Sequence, residues 1–153
     1  MNKAFVRELD APEPRCPGCG TLGQAVGRAT LEAHLPPDLL ALLAGSAWYC
    51  ANPTCSVAYY DSAGQTAGVE QARGRAYPKD PAGPVCSCFG VTAEQIASAA
   101  RARRAALIHD LIAKAQSREA DCATLAPSGC CCIPQVQRLF RQFSPPPANV
   151  AKP

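Results

Sequence analysis

Residues 47–61 read AWYCANPTCSVAYYD. Aromatic and β-branched residues flank ANPT, which predicts two short strands around a turn. Cys50 and Cys55 stand at the two ends of that turn in a C-x4-C pair. A thiol pair at the mouth of a hairpin calls for a second pair, and CPGCG supplies it upstream. There Cys16 and Cys19 form a C-x2-C knuckle, thirty residues before Cys50. Gly18 and Gly20 ease its tight turn. Four thiolates complete a tetrahedral all-sulfur site, the preference of structural Zn2+, and leave no open position for a substrate water. Iron in a rubredoxin-like site is the rival occupant. His34 lies between the pairs, but four thiols already saturate the ion, so a core or surface role is expected for it.

Composition agrees with a metal-stapled protein. The chain has 153 residues, ten of them cysteine, and only 6% aromatics, so large core-filling side chains are scarce. Small units with thin cores need such staples. MNKAFVRELD is charged and unlike a signal peptide, and no stretch approaches transmembrane length. Both observations predict a cytoplasmic protein with no membrane insertion, whose thiols stay reduced and bind metals rather than form disulfides. Residues 1–62 hold four basic and six acidic side chains, net −2, and the remainder eleven and six, net +5. A nucleic-acid-binding domain is usually more basic than this, so no nucleic-acid partner is expected. Nothing resembles the catalytic arrangement of a hydrolase.

The pattern predicts an α+β fold of two small metal-stapled lobes. Residues 15–62 form a zinc-knuckle β-hairpin lobe, and 85–143 a helical lobe. Residues 63–84, rich in glycine, alanine and proline, read as a linker with one short strand near Val69. Residues 1–14 and 144–153 read as flexible tails. PPDLLALLAG predicts a short helix with prolines at its start and Gly45 at its end. Thr92 and Gln95 have capping-box spacing, predicting a helix to about Arg103. AALIHDLIAKAQ predicts a second helix, with His109 half-buried, and a third begins near Pro134 with Val136, Leu139, Phe140 and Phe143 on one face. RARR at 101–104 reads as a solvated helix end.

Six cysteines remain. VCSCFGVTAEQI, residues 85–96, places Cys86 and Cys88 one residue apart, too tight for an unstrained disulfide between them. Cys122 follows after 33 residues, then APSGCCCIPQVQRLF with Cys130, Cys131 and Cys132. C-x-C, about thirty residues of short helices, and further cysteines leading into a helix together resemble the bacterioferritin-associated ferredoxin module. CPGCG, WYCANPTCSVAYY, VCSCFGVT and PSGCCC, in that order, more closely resemble the N-terminal domain of CopZ-type copper chaperones. The resemblance implies a [2Fe–2S] cluster beside the zinc site, held by Cys86, Cys88, Cys122 and a cysteine of the triplet. Ungapped alignment on PSG selects Cys132, with Cys131 and Cys130 as alternatives. Soft thiolates suit such a cluster, and the following helix N-terminus favours its negative charge. Phe89 is expected to shield the cluster. Cys130, next to Gly129, is expected to be the most exposed thiol of the triplet.

The function implied is an iron–sulfur and zinc-binding redox module in metal homeostasis, copper being the metal the resemblance suggests. The alternative is a non-catalytic metal chaperone or cluster-based sensor that binds soft metals through CCC. Either is an electron carrier or metallochaperone partner rather than a stand-alone enzyme. The partners implied are a copper-binding chaperone domain or a copper-exporting ATPase, and a redox partner. The G-M-x-C-x-x-C loop of CopZ copper domains does not occur here; the single methionine is Met1.

Overall fold

The computed structural model describes residues 14–147. The expected tails at 1–14 and 144–153 fall largely outside that range. The fold is a mixture of helices and strands, as the α+β class predicts. Strands β1 (Gln24–Val26), β2 (Ala47–Tyr49), β3 (Val57–Asp61) and β4 (Thr66–Gly68) form one antiparallel sheet in that order. The hairpin predicted around ANPT is β2–β3, with Trp48 opposite Tyr60 and Tyr49 opposite Tyr59.

Alternation along these strands divides the sheet's two faces. Tyr49 and Tyr59 pack with Leu31 of α1 (Arg28–His34), Leu35 just after it, and Leu43 just after α2 (Pro37–Leu42). Trp48 and Tyr60 stack at 5.9 Å between centroids and pack with Cys16, Cys50 and Cys55. One face therefore rests on helices and the other on the first cysteine set. Helix α2 starts at Pro37 as predicted, and Gly45 beyond it takes a φ of 73°. Helix α1 has no side-chain cap, and with no start signal its sequence gave no warning of it.

Residues 63–84, expected as a linker with one short strand near Val69, contain β4 just before that residue, and its Ala67 is fully buried. Beyond it the backbone N–H of Val69 donates to Ser56 O, and that of Arg73 to His34 O. Lys79 donates to Asn52 O at 2.9 Å and Cys55 O at 2.8 Å. Here the glycines and prolines mark turns that fold back over the hairpin rather than a free tether.

The two-stranded ribbon β5 (Pro84–Cys86) and β6 (Val91–Thr92) leads into α3 (Ala93–Arg101). Thr92 and Gln95 form the predicted capping box. Helix α3 ends at Arg101, two residues before the expected limit, because Arg103 turns the chain with a φ of 53°. Helix α4 (Ala106–Ala115), the short α5 (Cys122–Leu125) and α6 (Ile133–Phe143) complete the chain. Ile96, Leu111, Val136 and Leu139 form the core of this half. Arg101–Arg104 are exposed, and His109 is exposed rather than half-buried. No helix among the described residues is long and apolar enough to cross a membrane.

Candidate metal centres

The first centre begins in the CPGCG turn. Cys16 N–H donates to Thr21 O and Gly20 N–H to Cys16 O, both at 2.8 Å, which folds the knuckle back on itself. A Cβ at Gly18 would lie 2.9 Å from Val57 Cγ2 and 3.2 Å from Cys55 Sγ, so only glycine lets the knuckle approach the hairpin. Across it, Asn52 Oδ1 caps the Thr54 N–H at 3.0 Å and sets the C-x4-C turn.

The result is one compact group. The sulfurs of Cys16, Cys19, Cys50 and Cys55 all lie within 4.8 Å of one another. Cys16 and Cys55 are 3.8 Å apart, Cys19 and Cys50 3.6 Å. A tetrahedron with Zn–S bonds of about 2.3 Å has S···S edges of about 3.8 Å. The donor set thus fits a single zinc ion. Burial pushes the Cys50 thiol up to about 12 and also raises Cys55, whereas hydrogen bonds from Thr21 hold exposed Cys19 down to about 6. Buried thiols of this kind release their protons when a cation compensates the charge.

The second set has a different shape. Cys86 ends β5, Cys88 lies in the β5–β6 turn, Cys122 opens α5, and Cys132 is the N-cap of α6. Cys88 and Cys122 approach to 3.7 Å. Cys132 is raised by burial and next by its hydrogen bond to Cys86. Cys122 is raised to about 12, first by burial and then by Cys88. Cys88 and Cys122 thus form one close pair, and Cys132 packs in the same core cluster as Cys86. Among the described residues, no three ligand-bearing side chains outside the first centre come as close together as its four thiols.

The triplet points in different directions. Cys131 is exposed and Cys130 half-buried, which reverses the expected order. Gln24 on β1 donates its side-chain amide N–H to Cys130 Sγ at 2.7 Å. Phe89 packs on the core of this half, with Lys114 Nζ 5.6 Å from its ring centroid. His34 is not part of the close four-thiol group. It is buried, its imidazole is held below the ordinary value by that burial, and its Nε2 has no hydrogen-bond partner among the described residues.

These features define a zinc-binding domain with a four-cysteine site in the first half, and residues 13–73 match the CopZ zinc binding domain family. The whole fold is similar to the crystal structure of the Archaeoglobus fulgidus CopZ N-terminal domain. The TM-score is 0.67 and the identity 26%, over 82% of this chain and 96% of that one. No curated protein matches the chain.

Proposed function

We propose that Cys16, Cys19, Cys50 and Cys55 hold a structural zinc ion, and that Cys86, Cys88, Cys122 and Cys132 hold a [2Fe–2S] cluster. On this reading the protein is a one-electron module in metal homeostasis. The observation that carries it is the more open second set: Cys88 and Cys122 lie 3.7 Å apart, Cys86 and Cys132 pack in one core cluster, and no three of the four come as close together as the thiols of the first centre. A single tetrahedral ion needs every S···S separation near 3.8 Å, whereas a binuclear cluster needs only two such pairs, one for each iron. Residues 15–62 then form the zinc lobe and 85–143 the cluster lobe.

Bound there, the cluster would supply a site that takes up one electron and gives it back. The chain's own residues prepare that place. Cys132 at the N-cap puts one thiolate where unpaired backbone N–H groups and the helix dipole favour negative charge. Phe89 limits water, and Lys114 above it places a cation nearby. An acceptor ion such as Cu2+ would leave as Cu+ on receiving the electron. The likeness to the CopZ domain supports copper as the metal, with a copper-binding chaperone domain or copper-exporting ATPase, and a redox partner, as the associated proteins. A cytoplasmic setting would keep the ligand thiols reduced.

A second reading, a chaperone that carries soft metal on the triplet, draws on one observation. Cys130 and Cys131 lie outside the proposed ligand set and line a cavity of about 580 Å3 between the two halves. Anaerobic reductive titration separates the readings. The electron-carrier reading predicts uptake of about one electron per chain, reversed by oxidant. No electron uptake, together with Cu+ binding that Cys130→Ser plus Cys131→Ser abolishes, would replace it with the second.

A further inference from the structure

Between Cys122 and Cys132 the chain has little to hold itself in place. Helix α5 has four residues, too few to be stable alone. Pro127 has no N–H to donate, and Gly129 takes a φ of 69°. Yet Ala126 and Pro127 are buried. The segment's own bonds are local, from the Asp121 cap to the Gly129 N–H on Ala126 O, and its long-range anchors come from the first half. Thr30 of α1 donates its hydroxyl to Ala123 O at 2.5 Å, and fully buried Tyr59 of β3 donates to Pro127 O at 2.6 Å. A Cβ on Gly129 would lie 2.7 Å from Thr30 Oγ1, so the loop rests directly on α1. Gln24 of β1 meets Cys130. Every anchor falls between the two ligands.

We infer that Thr30 and Tyr59 are positioning residues for the second metal centre: the zinc-bearing half acts as a clamp that holds Cys122 and Cys132 at their ligating places. This rests on the cluster reading above. Neither residue touches the metal. Each acts by preventing the segment 123–130 from opening, the motion through which the two thiols would part from their partners Cys88 and Cys86. Tyr59 faces the helix core on β3, the side of the sheet away from the first thiol set.

The test uses the holo full-length chain, purified anaerobically, and follows loss of visible absorbance after adding an iron chelator. Tyr59→Phe and Thr30→Val each delete one hydroxyl and leave a carbonyl unpaired. Each should speed cluster loss by about tenfold with zinc content unchanged, because an unmade buried hydrogen bond raises the open population by that order. Tyr60→Phe is the control. It removes an equally short bond, to Pro14 O at 2.6 Å, from the other face of the same strand. It should change the rate by less than about twofold. Restoring a hydroxyl at position 30 with Thr30→Ser should bring the rate back toward wild type. Wild-type-like rates in both Tyr59→Phe and Thr30→Val, or equal acceleration by Tyr60→Phe, would overturn the clamp. If one variant fails to fold, the other decides. A wild-type chain without iron or sulfide would instead overturn the cluster reading beneath it.

Discussion

Cys16→Ser combined with Cys19→Ser should unfold the first half of the protein. The double substitution leaves two thiols, too few to hold zinc. Structural zinc contributes on the order of 10 kcal/mol, comparable to the whole stability of a small domain. What remains is thin: Leu31, Leu35, Leu43, Tyr49 and Tyr59 supply nearly all the large buried side chains of that core, the rest being alanine. Trp48 and Tyr60 would also lose the cysteine knuckle they pack against. Amide hydrogen exchange is the direct readout. Protection across β2 and β3 should vanish and the zinc content fall to near zero. Unchanged protection in those strands would mean that the ion is not structural. If the clamp operates, iron content should fall with the zinc although no cluster ligand has been touched.

Cys132→Ser should abolish or strongly destabilise the cluster, whereas Cys130→Ser should keep both the cluster and its absorption spectrum. Cys132 packs in the same core cluster as Cys86 and stands at the N-cap of α6, while Cys130 is turned toward Gln24. A serine hydroxyl is a poor substitute for thiolate in a site built for soft ligands. Cys131, the exposed member, should be the first of the three to be alkylated in the holo protein. Cluster loss in Cys130→Ser with an intact cluster in Cys132→Ser would move the ligand by two positions and break the alignment on PSG.

The elements that announce themselves by chemistry at fixed spacing were legible beforehand. The β2–β3 hairpin followed from aromatic residues around ANPT, α3 from Thr92 and Gln95, and α6 from its apolar face beside Pro134. The first cysteine quartet was legible for the same reason, since C-x2-C and C-x4-C have few other uses. The elements that were missed lack local signals. Helix α1 begins after Gly27 with no capping side chain, and β1 is three residues that pair only because β2 is present. Helix α5 is a single turn capped by Asp121. In the span 63–84 the strand near Val69 was legible as β4, whereas the anchors of its turns at Ser56, His34, Asn52 and Cys55 are distant in sequence. Exposure within the triplet was misjudged for a similar reason: Gln24, which hydrogen-bonds Cys130, lies 106 positions away.

The central claim is that two separate thiol quartets hold two different metal centres. Iron, acid-labile sulfide and zinc counts, taken with the visible absorption spectrum of anaerobically purified protein, test it most directly. The account predicts reddish-brown protein with about two irons, two sulfides and one zinc per chain. Colourless protein with two zincs and neither iron nor sulfide would contradict it.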